Sequence, residues 1–258
     1  MKSFLAIGPG SGDAAPKARR EFWCEVASGG CGLLLALFML GHTFLVGSIL
    51  TGVQGFDRVA TILEDWYIAQ PTVVVIFVVF LVHAALASRK IPAQLAERKR
   101  MLALARDLAR AGRGRPPTAT ELSPLQPHVE SLLWIWQVRT GMVILVLGSF
   151  HIILIGLDVF TPLFGDRVGI EASSTLAREA AGLWLLYAVL TICVAFHTAT
   201  GLYRLAVKWG VGARLKRQTL WRVEQLILWS MLGAGAITLA VMSGLIPPPL
   251  EGLLSSGR

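Results

Sequence analysis

Histidine is the residue type in this sequence best suited to do chemistry, because four of the five histidines fall within long apolar stretches. An ionisable side chain is costly inside a lipid bilayer, so each of these residues is a functional candidate. A neutral imidazole can bond to a neighbouring hydroxyl, relay protons or bind a metal ion. The four residues are His42, His83, His151 and His197.

The elements that must position these histidines are apolar segments. The chain has 258 residues, of which 54% are hydrophobic and 16% are charged, and its mean hydropathy is +0.63. Soluble domains carry roughly 25% charged residues, and apolar stretches of about 18 or more predict membrane-spanning helices. We therefore expect an all-α membrane protein, with residues 1–258 forming a single domain built on a five-helix transmembrane bundle. The expected spans are 24–50, 68–87, 132–157, 180–207 and 220–246.

Basic residues predict the orientation of this bundle. Of the 24 Lys and Arg residues, 19 lie at one end of the expected spans and four at the other. Because basic loops stay in the cytoplasm, the N-terminus is expected to be cytoplasmic and the C-terminus periplasmic. This distribution also accounts for the net charge of +8 without nucleic acid. Segment 91–110 is basic and amphipathic, which fits contact with anionic lipid or docking of a soluble subunit.

Depth in the membrane groups the histidines into two pairs. At 1.5 Å per residue, His42 and His151 lie roughly 27 Å from the cytoplasmic ends of their helices, and we call them the outer pair. His83 and His197 lie roughly 8–15 Å from that side, and we call them the inner pair. Each pair combines two different helices at one depth.

Two such pairs would supply axial ligands to two stacked haems and allow electron transfer across the bilayer. Zinc or copper sites stay open as alternatives, although no carboxylate or thiolate accompanies the imidazoles at the same depth. A haem-free transporter with histidine relays is another alternative. The chain has no dinucleotide fingerprint and no cysteine cluster, so it carries no recognisable site of its own for a dinucleotide or an iron–sulfur cluster.

Four motifs add a family resemblance that covers nearly the whole chain. They are GLYRLAVKWG at 201–210, LFMLGH at 37–42, WIWQVRTG at 134–141 and GSFH at 148–151. With these motifs the chain resembles the membrane anchor subunits of di-haem menaquinol:fumarate reductases, within the succinate:quinone oxidoreductase superfamily. The resemblance implies two haem b groups, a proximal one held by the inner pair and a distal one held by the outer pair.

The resemblance also implies roles for residues outside the two pairs. Lys208 and Trp134 would contact a propionate of the proximal haem, and Arg178 a propionate of the distal haem. Glu64 occupies the position of an acidic residue that serves the menaquinol site. Relatives can carry a glutamate two residues before the fourth-span histidine, where this chain has Ala195, so this chain lacks the carboxylate of the proton route assigned to that glutamate.

The function implied by the resemblance is that of an electron-transfer anchor in a bacterial inner membrane. Menaquinol would be oxidised near the outer face, and electrons would pass through the two haems to iron–sulfur and flavoprotein subunits that reduce fumarate to succinate. The dicarboxylate site would lie on a partner subunit, and the assembly would be a dimer of heterotrimers embedded in lipid. Two alternatives are the reverse reaction, succinate oxidation with menaquinone reduction, and a cytochrome b anchor of a hydrogenase or formate dehydrogenase.

Overall fold

Helices make up all the regular structure in the part of the chain that the computed structural model describes. The described residues are 11–111, 129–164, 172–211 and 215–251. The α-helices in these ranges are α1 (Ser11–Gly47), α2 (Val53–Asp65), α3 (Ala69–Ser88), α4 (Ile91–Ala111), α5 (Val129–Phe160), α6 (Ala172–Arg178), α7 (Trp184–Lys208) and α8 (Arg217–Met242).

Five helical segments of the described chain are long and apolar enough to cross a membrane, which confirms the expected number of spans. Their most apolar windows have mean hydropathies between 1.7 and 2.4. A helix is suited to this environment because it satisfies its backbone hydrogen bonds internally, where lipid offers none. The segments are Pro16–Thr51, Ala69–Asp107, Ser131–Phe160, Thr175–Lys208 and Arg217–Met242.

Several helix ends differ from the expected span boundaries, among them the start of α1 and the end of α8. Helix α1 begins at Ser11, thirteen residues before the expected start, and its first turns carry exposed basic residues. Helix α8 ends at Met242, four residues before the expected end at 246. It stops there because Gly244 adopts a left-handed conformation with φ of 72°, a common way for a helix to end.

Helix α2 was not expected from the apolar stretches, because its 13 residues are too few to span a membrane. It follows the short 3-10 segment Ser48–Thr51 through Gly52, whose φ of 91° suits a residue without a side chain. Phe56 and Ala60 of α2 are buried in a hydrophobic cluster with Ile49. This cluster also includes Ala172, Val241 and Met242, so it ties α2 to the ends of α6 and α8.

A kink separates α6 from α7 within the fourth apolar segment. The residues between the two helices, Glu179–Leu183, form one π-helical turn, and Gly182 within it has a φ of 90°. Such a value is readily reached only by glycine, so the position of the kink follows from the sequence. The kink leaves Arg178 at the end of α6, three per cent exposed.

The spanning helices enclose a central space. Helix α7 packs against α5 and α8, α1 packs against α3 and α8, and α3 packs against α5. Helices α1, α3, α5 and α7 therefore surround the space, and α8, which packs against α1 and α7, adds Met231, Gly235 and Thr238 to its wall. We call the end of the bundle at which α3 and α7 finish the inner end, and the opposite end the outer end.

Helix α4 directly follows α3 and corresponds to the segment expected to be basic and amphipathic. Its apolar residues Leu95, Met101 and Leu104 are 41%, 61% and 52% exposed. Within the described residues the apolar side of α4 is therefore left uncovered by the bundle.

Candidate functional site

The four intramembrane histidines meet as two pairs, in the combinations expected from their depths. The ring centroids of His42 on α1 and His151 on α5 are 6.1 Å apart, and the ring planes make an angle of 64°. The centroids of His83 on α3 and His197 on α7 are 6.5 Å apart, with an angle of 89° between the planes. The outer pair therefore joins α1 to α5, and the inner pair joins α3 to α7.

These separations suit two imidazoles on opposite sides of one metal ion. An imidazole nitrogen lies roughly 2 Å from the metal and about 1 Å from the centre of its own ring, so the two ring centres lie about 6 Å apart. Both measured separations are close to this value. Within the described residues no group of three or more His, Cys, Asp or Glu side chains could hold a metal ion. The pairs therefore fit a cofactor that brings its own equatorial ligands.

One cavity connects the two pairs. It has a volume of about 1070 Å³, and all four histidines line it. Pockets for one small molecule or cofactor typically measure roughly 300–1,000 Å³, so this cavity exceeds the size needed for one. Most of its wall is apolar, as at Phe38, Ile76 and Leu145, and such a wall suits the flat hydrophobic face of a macrocycle. The donor set and the space together fit haem.

His83 is oriented by helix α1. Its Nδ1 atom lies 3.2 Å from the carbonyl oxygen of Ser28. Because a carbonyl oxygen can only accept a hydrogen bond, Nδ1 is the donor and Nε2 is left for a ligand. The ring also packs against Gly32, where a Cβ atom would stand 2.9 Å from His83 Cε1.

His197 is oriented by helix α5 in the same way. Its Nδ1 atom lies 3.0 Å from the carbonyl oxygen of Gln137 and 3.5 Å from Thr140 Oγ1. A Cβ atom on Gly141 would stand 3.0 Å from His197 Cε1. The two rings of the inner pair are thus held in the same way. Each lies beside a backbone carbonyl of the neighbouring helix and against the glycine four residues after that carbonyl.

The outer pair is held by aromatic contacts. The His42 ring stacks on Phe38, one turn earlier on α1, with centroids 5.5 Å apart. His151 meets the Tyr187 ring edge to face at 5.4 Å. Within the described part of the chain, the buried Nδ1 atom of His151 has no hydrogen-bond partner. Unlike the inner rings, the His151 ring has no described backbone carbonyl that selects its tautomer.

Charged side chains link three helices at the inner end of the cavity. Glu25 on α1 accepts hydrogen bonds from Lys208 at the end of α7 and from Lys90 after α3. Arg89 donates to Glu21 at 2.9 Å. Glu25 and Lys208 both line the cavity, so the expected contact residue Lys208 is brought to this site with a carboxylate beside it.

Trp134 and Arg204 also lie at this end of the cavity. Both residues line the cavity. Trp134 precedes Gln137 by about one turn of α5. Arg204 donates a hydrogen bond to Gln137 Oε1. Gln137 is therefore held by α7 through its side chain while its carbonyl oxygen accepts from His197.

The outer end contains a buried ion pair. Arg178 donates to Asp158 on α5 and, at 2.8 Å, to Thr175 Oγ1. Arg178 lines the cavity, as expected for a residue that contacts a bound group at the outer end. The expectation for Arg178 did not include its carboxylate partner.

Glu64 lies near the outer end, in the last turn of α2, and its side chain is half-buried. Leu63 and Ile68, on either side of it in sequence, line the cavity, whereas Glu64 is absent from the described lining. Trp66 and Tyr67 follow with exposures of 76% and 77%, which places an aromatic surface beside this carboxylate. Glu64 is therefore a close sequence neighbour of residues that line the cavity and is not itself one of those residues.

Several residues that shape the site were missed by sequence reasoning. A signal for two of them exists, since Gly32 and Gly141 each stand ten residues before the outer histidine of their own helix. The other missed residues are Ser28, Gln137, Asp158 and Arg204, and their types alone do not distinguish them from ordinary helix residues. Their roles arise from contacts between helices.

Comparisons with known proteins identify a family for this chain. A family profile described as "Succinate dehydrogenase/Fumarate reductase transmembrane subunit" matches residues 113–241. A protein of Wolinella succinogenes named fumarate reductase cytochrome b subunit is 31% identical over 218 residues, covering 81% of this chain and 74% of its own length. A Helicobacter pylori protein of the same name is 30% identical over 208 residues, covering 78% of this chain and 70% of its own length.

Proposed function

The chain belongs to the succinate dehydrogenase/fumarate reductase transmembrane subunit family, and from this premise we propose that it is a two-haem electron-transfer anchor that oxidises menaquinol. As a cytochrome b membrane anchor of this superfamily, it is a multi-pass membrane protein and part of an oxidoreductase complex. The observation that carries the proposal is the presence of two histidine pairs, 6.1 and 6.5 Å apart, on one cavity.

The chain's own residues hold and insulate the redox centres. When bound, each haem b supplies a one-electron redox centre. His83 and His197 would hold the inner haem, and His42 and His151 the outer haem. Lys208 and Trp134 would contact an inner propionate, and Arg178 an outer one. The apolar part of the cavity wall, as at Phe38, Ile76 and Leu145, would exclude water from both positions.

Quinol chemistry is proposed at the outer rim. Glu64 would accept a proton from a menaquinol hydroxyl, because a carboxylate within hydrogen-bond reach can act as a general base. The exposed rings of Trp66 and Tyr67 offer an apolar surface for a quinone ring next to it. Electrons would then leave at the inner end, on the side where basic residues are concentrated.

Partner subunits complete the proposed reaction. A flavoprotein and an iron–sulfur subunit would bind on the cytoplasmic side of a bacterial inner membrane, with FAD and the iron–sulfur clusters, and reduce fumarate to succinate. The names of the matched relatives support this assignment over a hydrogenase or formate dehydrogenase anchor. Assays of the purified complex in both directions would separate fumarate reduction from succinate oxidation.

Haem content tests the ligand assignment. We expect two haems per wild-type chain and one haem in each single variant of the four ligands, His42→Ala, His83→Ala, His151→Ala and His197→Ala. Variants within a pair should lose the same spectral component, and variants from different pairs should lose different ones. The fifth histidine provides a matched control, since His128→Ala should keep both haems. A ratio near two in all four ligand variants would overturn the proposal.

A further inference from the structure

We propose that Gly32 and Gly141 are positioning residues for the inner histidines, because each leaves exposed the backbone carbonyl that orients the facing imidazole. This inference rests on the proposed function, in which His83 and His197 ligate the inner haem. It concerns how those two rings are aimed.

The argument starts from the position of a side chain on a helix. Each Cα–Cβ bond tilts toward the helix N-terminus, so a side chain covers the turn before its own Cα atom. The side chain at position 32 would therefore lie over the carbonyl of Ser28, and that at position 141 over the carbonyl of Gln137. Glycine at both positions leaves these carbonyl oxygens open to a ring from the neighbouring helix.

The measured contacts agree with this reasoning at both places. His83 Nδ1 lies 3.2 Å from Ser28 O, and a Cβ on Gly32 would stand 2.9 Å from His83 Cε1. His197 Nδ1 lies 3.0 Å from Gln137 O, and a Cβ on Gly141 would stand 3.0 Å from His197 Cε1. The nearest atom belongs to a rigid ring in each case, so alanine would shift the His83 ring and would push the His197 ring by a few tenths of an ångström.

The same pattern occurs on two helices with the same spacing. Gly32 precedes His42 by ten residues on α1, and Gly141 precedes His151 by ten residues on α5. Ten residues span about 15 Å of helix. Helices α1 and α5 thus each carry one histidine of the outer pair. Nearer the inner end, each also carries a backbone carbonyl that accepts a hydrogen bond from a histidine of the inner pair.

The outer pair lacks this arrangement in the described residues. His151 Nδ1 is buried without a hydrogen-bond partner, and a Cβ on Gly41, beside His42, would meet nothing within 4 Å. Substitution of Gly32 or Gly141 should therefore change one haem and leave the other unaltered.

The direction of the change follows from the hydrogen bond. Donation from Nδ1 to a carbonyl raises the basicity of the ligating nitrogen and favours the oxidised metal. An imidazole that no longer donates to the carbonyl has a less basic ligating nitrogen and favours the oxidised metal less. We expect the midpoint potential of the inner haem to become more positive in Gly32→Ala and in Gly141→Ala.

The experiment is redox titration and low-temperature electron paramagnetic resonance of the complex, in wild type and both alanine variants. Each variant should show a more positive potential and altered g values for one haem, or loss of that haem alone. Matched controls come from the same helices. Gly30→Ala on α1 adds a Cβ with nothing within 4 Å, and Gly156→Ala on α5 adds one at an ordinary 3.6 Å from Val73. Both controls should resemble wild type.

The outcomes separate this inference from the proposed function. If both alanine variants keep wild-type potentials and spectra while His83→Ala loses a haem, the positioning role is wrong and the ligand assignment stands. If His83→Ala keeps both haems, the proposed function itself fails. Equal disturbance of both haems, or failure of both alanine variants to assemble when the controls do, would also overturn the positioning role. If only one variant assembles, the result for that variant decides.

Discussion

Arg178 donates a hydrogen bond to Asp158 at the outer end of the cavity, and both side chains are buried, with exposures of 3% and 0%. The pair joins α6 to α5, and Asp158 Oδ1 also accepts from the backbone N–H of Phe164 at 3.4 Å. A buried charge left without its partner is costly. The pair therefore gives each buried charge its partner while it holds an arginine at the wall of the cavity.

Removal of one partner of this pair should destabilise the protein. Asp158→Asn would leave Arg178 as a buried charge without its anion, at a cost of about 3–5 kcal/mol. We expect a lower melting temperature of the purified complex, measured by loss of helicity or of the haem absorbance. Asp107→Asn is the matched control, because its ion pair with Arg110 at 3.5 Å is about 70% exposed on both sides and should contribute little.

A double substitution of Asp158 and Arg178 separates the effect of this ion pair on stability from the effect of Arg178 on haem binding. Asp158→Leu combined with Arg178→Met replaces the buried pair by apolar side chains, and such replacements are often neutral. The melting temperature should recover, while the outer haem should be held less tightly if Arg178 contacts its propionate. Full outer-haem affinity in the double variant would argue against that contact.

Lys208 should contribute to retention of the inner haem. A hydrogen bond to a charged group is worth about 1.5–3 kcal/mol, and the Lys208 side chain is half exposed, so we expect the lower end of this range. Lys208→Ala should therefore weaken inner-haem affinity by about tenfold. The measurement is haem transfer to an excess of a haem-scavenging protein.

Lys90 provides the comparison for Lys208, since it pairs with the same Glu25 and is not among the described residues that line the cavity. Lys90→Ala should leave haem transfer unchanged. Equal haem loss from the two variants would indicate that the charge cluster acts only by holding the helices together.

Glu64 should be needed for quinol oxidation and not for haem binding. Glu64→Gln keeps the shape of the side chain and removes its basicity, and general-base catalysis typically contributes about 10²–10⁴-fold. We expect quinol-linked turnover to fall by that factor, with two haems present and the soluble subunits active with artificial donors. Asp65→Asn, the exposed neighbour, is the control. Normal menaquinol oxidation by Glu64→Gln would refute the role.

Turnover should be electrogenic. The buried carboxyl side chains of the described residues are Asp158 at the outer end and Glu224, seven residues into α8, whereas Ala195 occupies the position two residues before His197. Glu224 accepts from Thr200 at 3.4 Å and Gln225 at 3.0 Å, and this leaves a long gap to Asp158. A carboxylate relay across the bundle is thus interrupted within the described residues.

The consequence can be measured in proteoliposomes. Suppose that protons leave at the outer face while two electrons move inward. Moving one charge costs about 2.3 kcal/mol per 100 mV of opposing membrane potential, so each turnover costs about 4.6 kcal/mol per 100 mV. Menaquinol oxidation by fumarate should generate a membrane potential, or the reverse reaction should be driven by one. Turnover that neither creates a potential nor responds to an imposed one would show that protons compensate by another route.

The sequence alone determined the helical class, the number of spans and the two levels of histidine. These properties depend on local quantities, namely the length of apolar runs and the rise of 1.5 Å per residue. The pairing of His42 with His151 and of His83 with His197 followed from the same arithmetic. Helix α2 escaped this reasoning because its 13 residues form no apolar run long enough to span a membrane.

Tertiary structure decided what surrounds those histidines. The carbonyls of Ser28 and Gln137, the buried partner of Arg178 and the carboxylate beside Lys208 are all contacts between helices distant in sequence. Such contacts depend on how each helix is rotated about its own axis, and rotation is set by the packing of many side chains together. A residue's type and spacing therefore indicate its depth in the membrane, whereas its partner at that depth is determined only when the helices pack.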